Sequence, residues 1–228
     1  MTLFSKKLKM ADLIVTNNSL ILTLDRFGIP LGFGEKSVED VCKQSNVSVN
    51  LFLMICNVYS FDNYIPDKQT ITDTDLSQLI PYLLASHKYY MEKRLPHIEH
   101  HLHGIADMVG EKYGKILLDF FSDYKNEFHK HFSYEEEIVF PYMQKLENGQ
   151  RDNNYSIQKF VESHSNIEEA LTDLTQIVYK YLPSSVMPDD SIELIFDILQ
   201  LTSDLGKHSL IEDKILVPYV ETLERRYK

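Results

Sequence analysis

The chain has 228 residues, 43% of them apolar and 25% charged, with only 8 glycines and 8 prolines. That composition describes an ordinary folded protein of one or two domains and excludes disordered, collagen-like and disulfide-scaffold classes. The formal net charge of −11 repels a phosphate backbone, and the longest basic cluster, Arg225-Arg226, is too small to offset it, so no nucleic-acid partner is expected. The longest uninterrupted apolar run, residues 51–56, is far shorter than the roughly 20 residues a membrane helix needs, so no membrane partner is expected either.

From the N-terminus, Lys6, Lys7 and Lys9 resemble the basic start of a signal peptide, but no apolar segment follows at once, and a cytoplasmic protein is expected. Cys42 and Cys56 form no Cys-x-x-Cys and sit among apolar residues, as buried thiols of a reducing compartment would. Strand alternation is absent and helical periodicity dominates. Residues 1–75 read as a small helical domain closed by a polar linker, Thr70–Asp75, after Pro66. Ser37 and Asp40 carry the signature of a helix N-cap.

Four long helical patterns follow. The first runs from about Leu76 to Val109 and contains Pro81 and Pro96, which should bend it or shift its start. The second runs from about Tyr113 to Leu146 and stops at Asn148-Gly149. The third runs from about Tyr155 to Leu182, before Pro183. The fourth starts after Asp189-Asp190, acidic residues suited to a helix N-terminus, and continues to about Arg226. Long amphipathic helices with short connections predict an all-α fold, an up-down-up-down four-helix bundle over residues 76–228.

An internal repeat carries the chemistry. His131-x3-Glu135-x2-Ile138-Val139-Phe140-Pro141-Tyr142 matches His208-x3-Glu212-x2-Ile215-Leu216-Val217-Pro218-Tyr219 at an offset of 77 residues. The same offset carries His87 onto His164, so each half holds one His followed 44 residues later by His-x3-Glu. In antiparallel helices, residues at one height have their turn midway between them. The midpoints fall at Val109-Gly110, at Gly149 and between Pro183 and Pro188, where turns are expected. His87, His131, Glu135, His164, His208 and Glu212 should therefore converge on one level of the core. His and Glu four residues apart share a helix face. Four imidazoles and two bridging carboxylates would give each of two metals two nitrogens and two oxygens, a set better suited to iron or manganese than to closed structural zinc. Unmetallated, these groups would be costly to bury.

Elsewhere, His97, His100, His101 and His103 have no repeat mates and read as a solvated or partly packed cluster. Tyr90 and Tyr134, each three residues after a proposed ligand, are expected at the pocket edge or packed in the core.

The Glu135–Pro141 stretch after His131, and its copy at His208–Pro218, resemble the hemerythrin-type HHE cation-binding bundle, most closely the di-iron proteins that repair iron–sulfur clusters. The resemblance covers about residues 76–228 and implies two iron ions per chain, carboxylate- and oxo-bridged, held by the six residues above. Residues 1–65 resemble more weakly that family's N-terminal domain, where a Cys-Cys-Gly-Gly-type turn is found. Here the turn reads Pro30-Leu31-Gly32-Phe33-Gly34-Glu35-Lys36, without thiols. Oxygen-carrying hemerythrins place a fifth His where this chain has Glu168, which argues against simple oxygen carriage and makes Glu168 a candidate extra ligand or entry residue. The function so implied is a stress response, either repair of iron–sulfur clusters or processing of nitric oxide or peroxide. The partners would be a small diatomic or peroxide ligand and damaged iron–sulfur proteins. The alternative is a non-catalytic oxygen or nitric oxide sensor, or an iron buffer.

Overall fold

The structure, a computed structural model, describes residues 3–150, 154–163, 167–181 and 188–226. Its regular elements are helices throughout; the one pairing of extended backbone among the described residues is an isolated bridge between Lys9 and Ser37. None of the described helices is long and apolar enough to cross a membrane. The all-α expectation holds, with short helices first and long ones after residue 78. Two compact units emerge, one of residues 1–86, 142–161 and 207–228, the other of residues 87–141 and 162–206.

The first unit begins with α1 (Met10–Thr16), α2 (Leu20–Arg26), α3 (Val38–Gln44), α4 (Val49–Ser60) and α5 (Lys68–Asp73). Side-chain caps start the last three: Ser37 accepts from the Asp40 N–H, Ser48 from Leu51 and Asp67 from Thr70, each satisfying a backbone donor that the first helical turn leaves unbonded. Its core includes Leu13, Leu20, Leu24, Val41, Leu51, Phe52 and Ile55. Both cysteines are buried and free, and burial pushes the Cys42 thiol up to about 12. The same unit contains the C-terminal helix α13 (Val217–Arg225), which packs on α5. Lys207 and Lys214 both donate to Asp62, at its side chain and its carbonyl, and fasten the residues after α4.

The second unit is built on a hairpin. α7 (Leu95–Val109) and α8 (Glu111–Tyr134) are joined by Gly110 alone, at φ +83°, a conformation that a side chain would strain. Four residues on, a Cβ at Gly114 would lie 2.6 Å from the carbonyl oxygen of Ala106, so glycine there lets the two helices approach. One core joins four helical segments: Ile98, Leu102 and Ile105 of α7; Phe121, Phe128 and Phe132 of α8; Leu171, Leu174 and Val178 of α11 (Ile167–Tyr181); and Leu194, Ile198, Leu201 and Leu205 of α12 (Pro188–Ile211). Their spacing of three and four residues is the apolar stripe that the sequence displays.

Among the described residues, three short π-helical turns interrupt the long helices: Tyr90–Arg94 between α6 (Leu79–Tyr89) and α7, Glu135–Val139 between α8 and α9 (Phe140–Glu147), and Glu212–Leu216 between α12 and α13. In each, the residue after the turn donates its N–H five positions back, Leu95 to Tyr90, Phe140 to Glu135 and Val217 to Glu212. The next residue is a proline every time: Pro96, Pro141 and Pro218. A helical proline has no N–H to give and its ring collides with the carbonyl four residues back. Widening the turn moves that carbonyl away and lets the helix continue. The repeat supplies its own control. Pro96 maps onto Asp173, 77 residues later, and the residues matching the first π-turn, 167–171, stay α-helical in α11. The disturbance expected at Pro96 takes the form of a local π-turn, and near Pro81 the helix starts at Leu79 rather than Leu76. In the second helix of each half the repeat is kept: α8 and α12 both have 24 residues, and each is followed by a five-residue π-turn.

Candidate metal centre

Glu135 is the first residue of its π-turn, and its own N–H still donates to the His131 carbonyl, so His131 and Glu135 remain one α-helical turn apart on one face. His131 Nε2 lies 2.8 Å from Glu135 Oε1. From the helix preceding α7, His87 Nε2 lies 3.1 Å from the other oxygen, Oε2. The carboxylate therefore has an imidazole on each oxygen, and it is fully buried, with His87 2% and His131 8% exposed at their side chains. Such a carboxylate costs several kcal/mol to desolvate unless charge is supplied to it.

His87 is fixed from its far side. Its Nδ1 lies 2.8 Å from Glu136 Oε1. An ionised carboxylate only accepts, so each ring nitrogen of His87 faces an acceptor; were a metal to replace the proton at Nε2, the remaining proton would sit on Nδ1 and donate to Glu136. This is the outer carboxylate–imidazole arrangement that orients a metal-binding histidine. The Phe132 ring stacks on His87 at 4.1 Å between centroids and 14° between planes, and Phe140 stacks at 5.7 Å. Together they hold the imidazole plane and keep water from it.

The other unit carries the repeat mate. His208 Nε2 lies 3.1 Å from Glu212 Oε1, with the side chains 2% and 0% exposed. Glu212 opens its π-turn as Glu135 does. Each unit thus carries a buried histidine–glutamate pair, His87 and Glu135 in one, His208 and Glu212 in the other.

Of the other residues singled out in the sequence, Tyr90 is fully buried. Its ring stacks with Phe132 and its hydroxyl donates to the Asp204 carbonyl at 3.4 Å, so it packs beside the His87 wall. Tyr134 is half-buried at the last residue of α8. His164, and the side chain of Glu168, lie outside the described residues. Glu136 is the residue that sequence reasoning missed. It stands in the acidic run Glu135-Glu136-Glu137, which marks a charged helix face but not which carboxylate turns back to His87.

The donors suit a divalent or trivalent metal: imidazole nitrogen and carboxylate oxygen, buried, with one histidine backed by an outer carboxylate. A cation would take the place of a proton between His87 Nε2 and Glu135 and supply the positive charge the buried carboxylate needs.

Residues 79–220 match the family model described as the Hemerythrin HHE cation binding domain. The chain is also similar, at 21% identity over 218 residues, to a protein named Iron-sulfur cluster repair protein ScdA from Staphylococcus haemolyticus (strain JCSC1435); the match covers 89% of this chain and 98% of that one. No solved structure matches the chain significantly.

Proposed function

The chain belongs to the hemerythrin HHE cation-binding domain family, and from that premise we propose that it holds two iron ions and serves the response to nitrosative and oxidative stress. The ligands on this reading are His87, His131, Glu135, His164, His208 and Glu212. The activity is repair of iron–sulfur clusters or processing of nitric oxide or peroxide. The observation that carries the reading is Glu135, a wholly buried carboxylate with a histidine nitrogen at each oxygen, as a group bridging two cations requires. The His208–Glu212 pair, 77 residues on, supplies the matching half. Similarity to a protein named for iron–sulfur cluster repair supports the substrate class.

The iron pair supplies redox change and open positions for a small diatomic or peroxide ligand. The protein supplies the surroundings. Glu136 would accept the remaining proton of a metal-bound His87 at Nδ1, and Phe132 and Phe140 stack on that ring. On this reading residues 1–75 are a small N-terminal domain and residues 76–228 the metal-binding bundle along the chain, although compactness groups residues 142–161 and 207–228 with the N-terminal helices. With only two cysteines, both buried, the chain has no accessible thiol, and repair rests on the iron-binding half. The setting is the cytoplasm and the partners are damaged iron–sulfur proteins.

The test is to load the protein with ferrous iron under anaerobic conditions, count iron per chain, and incubate it with a nitric-oxide-damaged iron–sulfur dehydratase. Two irons per chain and recovery of dehydratase activity are expected. One iron or fewer in fully loaded protein refutes the dinuclear centre. Two irons with neither recovery nor consumption of nitric oxide or peroxide refutes the activity and leaves an iron buffer or a sensor.

A further inference from the structure

Away from the buried histidines, α7 and α12 bring together a second group of metal-ligand residues. His97 and His101 stand four residues apart on α7 and therefore share a face. Asp197 of α12 meets them: its Oδ2 lies 3.1 Å from His97 Nε2 and 3.9 Å from His101 Nε2. One ligand atom from each of the three falls within 4.8 Å of the others. We propose that His97, His101 and Asp197 form a second site, open to solvent, for a divalent transition metal of the zinc, nickel and copper class.

The surroundings are arranged for this. Arg94 Nη2 donates to Asp197 Oδ1 at 2.9 Å and to the Asp197 carbonyl at 3.3 Å. That grip occupies one carboxylate oxygen and turns the other to the two imidazoles. Glu193 faces His101 Nδ1 at 3.9 Å, on the side of the ring away from Asp197. The His97 and His101 rings lie 4.6 Å apart at 63°, edge to face rather than stacked flat. The side chains are 49%, 18% and 17% exposed for His97, His101 and Asp197. Three protein ligands and solvent access leave further positions for water, the plan of an exchangeable rather than a structural site. Imidazole and carboxylate favour zinc, nickel or copper over magnesium or calcium. At 1.5 Å per residue, the pair stands roughly 15–21 Å along the helix from His87, so the two centres do not share ligands. The nearby Arg94 guanidinium repels a cation and lowers the affinity. Without a metal, the same residues make an ordinary ion-pair cluster, and the two descriptions differ in one observable.

That observable is zinc uptake by iron-loaded protein, measured against a chromophoric zinc chelator while iron content is followed. One zinc ion per chain beyond the iron is expected in the parent. His97→Ala and His101→Ala should each weaken it by about tenfold or more, while the exposed neighbour His103→Ala should leave it unchanged. Iron content should stay at the parent value in all three, which separates this site from the buried centre. No zinc uptake by the parent, or equal uptake by the parent and a folded His97→Ala/His101→Ala double variant, overturns the proposal.

Discussion

Removing Glu136 tests whether the orientation of His87 matters to metal binding. In Glu136→Ala the imidazole keeps its stacking partners Phe132 and Phe140 but loses the carboxylate at 2.8 Å from Nδ1. Nothing then accepts the Nδ1 proton of a metal-bound His87, and the ring loses the partner that orients Nε2. Loss of such an outer partner lowers metal affinity by about 10–100-fold, or ~1.4–2.7 kcal/mol. The fold should hardly notice. The Glu136 side chain is 43% exposed, and substitutions at such positions change stability by about 0.5 kcal/mol or less. The assay is ferrous-iron competition with a chromogenic chelator under anaerobic conditions, alongside melting of the metal-free protein. Glu137→Ala, an exposed neighbour, is the control and should match the parent in both. Iron affinity of Glu136→Ala within twofold of the parent would refute the assigned role, since His87 would then be held without its outer carboxylate.

Glu135→Ala and Glu212→Ala should lose similar amounts of iron, because the repeat makes them equivalent; elemental analysis in which only one variant loses metal contradicts that equivalence. Gly114→Ala should destabilise the fold although alanine is favoured in helices by about 1 kcal/mol. The new Cβ meets the Ala106 carbonyl oxygen at 2.6 Å, and overpacking of that kind costs about 1–3 kcal/mol; a rise in melting temperature would mean that the helices separate freely. Burial raises the Cys42 pKa from 9.0 to about 12, so its contribution to stability is complete below pH 9 and is lost as pH rises from 9 to 12, where the unfolded thiol ionises first. Urea midpoints should fall less over pH 9–11 in Cys42→Ala than in the parent, and equal slopes would refute the effect. Glu168→Gln should keep two irons and change the rate at which the reduced protein reacts with nitric oxide or oxygen; identical stopped-flow traces would remove Glu168 from the site.

The sequence alone determined the helical class, the long helices and the pairing of residues across the repeat. These depend on what lies within a turn or two along the chain: apolar spacing, caps such as Ser37, glycine at 110, and His-x3-Glu, whose members share a face in any α-helix. The repeat extended that reach, because two equivalent segments fold alike, and α8 and α12 end at residues 77 apart. Proline carried a further signal that periodicity reading took for a bend. A proline inside an unbroken apolar stripe, as at positions 96, 141 and 218, marks a widened turn, and Asp173 at the fourth position marks a regular one. The tertiary structure decided what depends on the rotation of one helix against another. Glu136 rather than Glu137 reaches His87, and Asp197 arrives beside His97 and His101 from a helix about a hundred residues away. A helix repeats every 3.6 residues whatever it packs against, so periodicity gives each side chain its face. The partner across that face is chosen by how the helices interlock, through close approaches such as Gly114 on Ala106 and the shared aromatic core.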